Sequence, residues 1–207
     1  MIVLTKEMDI FEQEVDHAIA VEMAEVLDHG ILVSKIALLL SKELGMDEEF
    51  YYYMAEAGVV HDIGKLRMSH YLYSRRKDAF MIEEMKYVRM HATFSYEILK
   101  SYDYPEFILK AIYSHHENFD GSGYPNNLKG EDIPWGARIL RICDVFTALI
   151  SERYYRSAFD IETAIQLMIE EVKNFDMEVF LIFLELVNSE QFKDIKDLIN
   201  KNKIKLT

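Results

Sequence analysis

Seven histidines lie along the chain (His17, His29, His61, His70, His91, His115 and His116), and two of them have neighbours that also bind ions. His61 is followed by Asp62, and His115 by His116. Adjacent residues on a helix point about 100° apart, so neither pair wraps a single ion as an i, i+4 pair would. Such neighbours can serve adjacent ions, or one can bridge while the other binds terminally. That suits an ion cluster better than a lone structural zinc, whose usual ligands are cysteines. Cys143 is the only cysteine. Glu25 and His29 stand four apart in VEMAEVLDHG, a stretch of helical character, and could grasp one ion from one face. Each signal alone has an ordinary reading. Glu–His pairs at this spacing occur on solvated faces, and a single histidine such as His91 is commonly a surface or core residue.

The elements that must hold these residues read as helices. ILVSKIALLLSKEL at 31–44 carries apolar residues at helical intervals, with Gly45 as its stop. Asp47, Glu48 and Glu49 suit the start of the next helix, which runs towards His61. Pro105 opens a helix ending near His115, and Pro134 opens another carrying RILRICDVFTALI. Asp160 and Asp176 precede apolar-periodic stretches at 161–172 and 177–187. An apolar stripe over 177–199 either finishes the bundle or forms a homodimer contact. The exception is FDGSGYPNNLKGEDI at 119–133, where turn chemistry fills fifteen residues. Long irregular loops inside helical domains often carry function. The expected fold is all-α, one helical domain with a long loop containing glycine and proline.

Charge narrows the partners. Thirty-six acidic against twenty-three basic residues give a formal net charge of −13 over 207 residues. That surface repels a polynucleotide backbone, whose binding needs lysine and arginine. A small anionic substrate requires local sign reversal, which bound metal ions would supply. No apolar run reaches the roughly 18 residues of a membrane span, and no signal peptide is evident, so no membrane partner and a cytoplasmic protein are expected.

HDIGK at 61–65, HHENFDGSGYP at 115–125 and ARILRICDVFTAL at 137–149 resemble the HD-GYP domain, a branch of the HD phosphohydrolase superfamily, across Glu25 to Phe180. The resemblance implies an HD-type helical bundle over 25–187, with 1–24 as an N-terminal helical extension and 188–207 as a C-terminal helix or tail. It implies metal ligands at His29, His61, Asp62, His91, His115, His116 and Asp144, with Asp62 bridging and Glu25 completing a third position in some members. Two or three divalent ions are implied, with iron or manganese favoured for this donor set. Asp62 and Lys65 would be catalytic, and Lys65, Arg153, Arg156 and Tyr124 would meet the substrate. The implied reaction is hydrolysis of cyclic di-GMP to pGpG or GMP by metal-activated hydroxide. The alternatives are another cyclic dinucleotide or nucleotide substrate, or a non-catalytic nucleotide sensor. The Gly-Tyr-Pro loop would shape the pocket rim, and in the family it can dock GGDEF-domain proteins.

Three departures bear on activity. Tyr154 replaces the usual proline of the R-P-Y-R segment, and Thr147 replaces an aspartate that could orient a ligand. The 66–80 segment strays from the usual pattern, and His70 and His17 are read as non-ligands.

Overall fold

A computed structural model of the chain describes residues 2–73, 87–152 and 156–204, excluding the side chains of 2–19, 22, 69–73 and 200–204. Among the described residues there are α-helices and short 3₁₀ turns but no β-strand. The first helix, α1 (Ile2–Glu43), is continuous. The expected division between residues 24 and 25 therefore falls inside one helix. It ends as the sequence suggests: Gly45 adopts φ +71°, its N–H donates to Lys42 O, and the N–H of Met46 donates to Ser41 O. This is the paired closure that a left-handed glycine allows. Asp47 then caps α2 (Glu48–Val60) by accepting from the N–H of Phe50 at 2.8 Å.

Helices α1 and α2 form an antiparallel hairpin whose open end carries two future site residues, His29 and His61. Glycine allows their close approach. A Cβ on Gly58 would sit 2.6 Å from the backbone N and Cα of Ser34, and one on Gly30 would sit 2.5 Å from Val59 O. Any side chain at either point would push the helices apart.

Helix α3 (Gly64–Tyr73) packs on α4 (His91–Leu99), with the N–H of Gly64 donating to Ser95 Oγ at 2.9 Å. Helix α5 (Glu106–Tyr113) follows Pro105, and α6 (Trp135–Ile150) follows Pro134, as the proline positions predict. Helix α6 is the central strut. Ile139, Leu140, Ile142, Cys143 and Phe146 are fully buried on it, and so, almost completely, is Asp144. Helices α7 (Ile161–Glu170) and α8 (Met177–Val187) start at Asp160 and Asp176, each accepting a backbone N–H as the cap reading requires. The expected stripe over 177–199 is largely spent inside the chain. Phe180, Phe183, Phe192, Ile195 and Ile199 join the core, and the rings of Phe146 and Phe183 meet edge-on at 5.1 Å. The last described helix is α9 (Lys193–Ile204).

Between α5 and α6 runs the long loop. Gly121 takes φ +88°, and Gly123 lies so close to the Glu117 backbone that a Cβ would stand 2.5 Å from Glu117 Cα. Glu117, itself almost wholly buried, accepts the backbone N–H groups of Asn126 (2.7 Å) and Leu128 (3.1 Å). One carboxylate thus clasps the far side of the loop.

Candidate metal centre

Residues distant in sequence converge at the open end of the α1–α2 hairpin. His29 comes from α1, His61 caps the end of α2, and Asp62 lies in the turn before α3. His91 begins α4, His115 and His116 follow α5, and Asp144 comes from the middle of α6. Three overlapping groups hold donor atoms within 4.8 Å of one another: Asp62 with His91, His115 and His116; Asp62 with His29 and His61; and Asp144 with His61 and His115. Asp62 faces both ways. Its Oδ1 lies 3.2 Å from His91 Nε2, and its Oδ2 lies 3.4 Å from His61 Nε2.

The rings are aimed from behind. The Nδ1–H of His61 donates to Gly58 O (2.9 Å), that of His91 to Val88 O (2.6 Å) and that of His115 to Ile112 O (2.6 Å). A carbonyl can only accept, so Nδ1 carries the proton and each neutral ring turns an Nε2 lone pair inward. Those inward nitrogens crowd together. His91 Nε2 lies 2.9 Å from His116 Nε2 and 3.4 Å from His115 Nε2. In addition His61 Nε2, Asp62 Oδ1 and His29 Nδ1 are buried with no hydrogen-bond partner. Buried polar atoms are normally satisfied, so the unpartnered His61 Nε2 and Asp62 Oδ1 in this cluster fit a bound cation. The donor set is imidazole and carboxylate, which suits a first-row divalent metal.

Electrostatics prepare the same groups. Burial, with the neighbouring histidines, holds His115 well below the usual histidine range, and burial lowers His116 to about 3. Both rings are therefore neutral and able to ligate near neutral pH. His61 moves up instead, because Asp62 and Asp144 outweigh the effect of its burial. Burial would raise Asp62 and Asp144, but for Asp62 the charges of Lys65 and His61, and for Asp144 the hydrogen bonds from His29 and His61, prevail. Both carboxyls are held well below their ordinary values.

Lys65 extends from the first turn of α3 to form an ion pair with Asp62 Oδ2, leaving its side chain about a quarter exposed (27%) at the mouth. Tyr124 stacks on His116 with ring centroids 4.7 Å apart and planes 24° apart, and the Arg89 guanidinium lies 5.3 Å from the centroid of the Tyr124 ring. Tyr124 thus packs over the site.

Other expected residues stand elsewhere. Glu25, one turn before His29, is exposed and belongs to none of the three groups. Arg156 donates to the carbonyls of Ala148, Leu149 and Ser157 and so braces the end of α6. Arg153 and Tyr154 lie outside the described residues, as do residues 74–86 and the side chains of His17 and His70. Thr147 is buried with its hydroxyl unpartnered. Two site residues escaped the sequence reading. Glu117 sits inside the quoted HHE string, and Arg141 stands one turn before Asp144 on the same helix. Their types and spacing were in plain view, but only the folded loop reveals their use.

Comparison with known proteins bears on the family and the fold. Residues 7–179 match the model of the HD domain family. The 3'3'-cGAMP-specific phosphodiesterase 1 of Vibrio cholerae is 32% identical over 84% of this chain and 42% of its own length. A cyclic di-GMP phosphodiesterase of Thermotoga maritima is 32% identical over 79% of this chain and 44% of its own. The chain thus spans less than half the length of these curated relatives. Among solved structures, a cyclic GMP-AMP specific phosphodiesterase of V. cholerae superposes with a TM-score of 0.62 at 19% identity, covering 83% of this chain and 48% of that one. An HD-GYP protein of Bdellovibrio bacteriovorus gives 0.62 at 18% identity, over 79% and 53%. At these identities the structural likeness establishes the fold.

Proposed function

The chain belongs to the HD domain family and carries its HD-GYP signature, and we propose that it hydrolyses a cyclic dinucleotide, cyclic di-GMP first among them. One observation carries the reading. Five imidazoles and two carboxylates converge, with the Nε2 lone pairs of His61, His91 and His115 turned inward and with buried donor atoms left unpartnered among them. The relatives' names supply the substrate class.

Two ions are the proposed complement, since Glu25 is exposed and outside the groups. Asp62, His91, His115 and His116 would hold one and His29, His61 and Asp144 the other, with Asp62 shared. Iron or manganese suits the nitrogen-and-oxygen donor set. Bound divalent ions supply a nucleophile at neutral pH by lowering the pKa of water, and positive charge opposite the phosphate oxygens. The protein's own residues do the rest. The Nδ1 hydrogen bonds of His61, His91 and His115 fix the direction of each ring. Lys65 sits at the mouth, where it can meet a non-bridging phosphate oxygen while still offsetting the charge of Asp62. Tyr124 covers His116 and limits the entry of bulk water on that side. No side chain need attack: Ser114 is buried, and Ser122 accepts from Asn118 in the loop.

The test is protein loaded with Fe²⁺ anaerobically, or with Mn²⁺, and given cyclic di-GMP. Appearance of pGpG or GMP on chromatography is expected. Full metal content with no cleavage of any cyclic dinucleotide would remove the proposal. A second reading follows from the cGAMP-specific relatives: a mixed cyclic dinucleotide as the better substrate. The ratio of kcat/KM for 3'3'-cGAMP and cyclic di-GMP decides between them.

A further inference from the structure

Arg141 is a cation placed where metal ligands are densest. Its Nε donates to Asn118 Oδ1 at 3.0 Å, and its Nη1 lies 3.5 Å from His116 Nδ1. These are its hydrogen-bond contacts among the described residues, and they leave the Nη2 hydrogens without an acceptor. The side chain is only partly exposed, and the carboxylate beside it, Asp144, is already engaged by His29. A guanidinium so placed opposes cation binding next door, while the charge of Asp144 beside it favours the guanidinium itself. Beyond its bond to Asn118, the guanidinium keeps a donor edge that an incoming anion can use.

The surroundings indicate which anion. The exposed side of the centre is formed by His116 and Asp144, whose side chains are 17% and 12% exposed, and by Lys65. Lys65 pairs with Asp62 and Arg141 stands beside His116 and Asp144, so the two cations border the cluster at different ligand groups. Asn118 anchors the Nε corner, which leaves the Nη edge as a planar pair of donors. Such a fork matches two oxygens of one phosphate, as a lysine cannot. Arg156, the basic residue expected for this task, is occupied with main-chain carbonyls.

Resting on the proposed phosphodiester chemistry, we propose that Arg141 is the residue of this chain that grips the scissile phosphate from the loop side, opposite Lys65. The test uses the full chain loaded with Mn²⁺, with inorganic phosphate as the calorimetric probe and cyclic di-GMP as substrate. Arg141→Gln is expected to keep the wild-type metal content, weaken phosphate binding by about 10- to 100-fold, and raise KM more than it lowers kcat. Arg141→Lys keeps the charge without the fork and falls between the two. Were the glutamine variant not to fold, the lysine variant carries the test, with a severalfold weaker phosphate affinity at unchanged metal content. Wild-type affinity for phosphate in whichever variant folds overturns the inference, and so does parallel loss of metal and phosphate binding, which would make Arg141 a scaffold of the ion site. Wild-type protein that holds its ions but neither binds phosphate nor cleaves any cyclic dinucleotide overturns this inference together with the function it rests on.

Discussion

The two halves of the centre are built on opposite terms. Around His91, His115 and His116 the ring nitrogens approach to 2.9 and 3.4 Å, and two of the three rings have their protons committed to carbonyls behind them. That half offers converging donor atoms to a cation. Around His29 and Asp144 the protein has made its own peace: His29 Nε2 donates to Asp144 Oδ1 at 3.0 Å, and its Nδ1 has no acceptor. An ion entering there must displace that hydrogen bond and move the ring proton to a buried nitrogen with nothing to receive it. The lesson is that one family motif can combine a prewired site with one that has to be opened. The first half should fill first.

The largest expected effect comes from removing what the halves share. Asp62→Asn should strip both ions and lower turnover more than about 100-fold, since even outer partners of metal ligands are worth about 10- to 100-fold. Elemental analysis and a product assay read it. The comparison itself is tested by paired variants. His115→Ala should abolish the tighter step of a calorimetric Mn²⁺ titration, whereas His29→Ala should leave that step in place and lose only the weaker one. Equal loss of both steps in both variants would erase the distinction. Chelation should lower the melting temperature by about 5 to 10 °C, from roughly 2.7 kcal/mol for a site held at about 100 Kd and about 2 to 4 °C per kcal/mol. Metal return should restore it in His29→Ala more fully than in His115→Ala.

Gly58→Ala acts on the hairpin that brings His29 to His61. A methyl 2.6 Å from Ser34 backbone should cost about 1 to 3 kcal/mol in chemical denaturation and weaken the second ion selectively. The smallest effect concerns pH in the metal-free protein. Asp144 is held below its unfolded value, so the stability it contributes is full above the ordinary carboxylate pKa near ~4 and is lost as pH falls through the folded value. Asp144→Asn should therefore flatten the acid limb of a plot of melting temperature against pH. An unchanged limb would show that the His29–Asp144 bond contributes little.

Much of this was legible beforehand because local chemistry and fold agree. Asp47, Asp160 and Asp176 cap helices where their positions suggest, and Gly45, Pro105 and Pro134 punctuate them. The convergence of His29, His61, Asp62, His91, His115, His116 and Asp144 was legible through the resemblance of their motifs to a family and not through their spacing alone. What could not be read depends on side-chain direction across long separations. Nothing near Glu25 says it faces solvent, because an amphipathic pattern at helical spacing fits either face. Nothing in SERYYRSA says Arg156 turns back to the carbonyls of α6. Arg141 went unnoticed for the same reason: one turn from Asp144, it resembles any helical surface cation until the loop brings Asn118 against it.

Glu117 has a consequence for how such a pocket can move. It follows His116 directly in the chain and holds the amides of Asn126 and Leu128, so the floor of the cleft and its lip hang from one three-residue hinge pin. Widening the entrance at Tyr124 therefore tugs on the imidazoles beneath it. For the proposed substrate, room would have to come from a wall outside this clasp, such as the one that carries Lys65 at the start of α3.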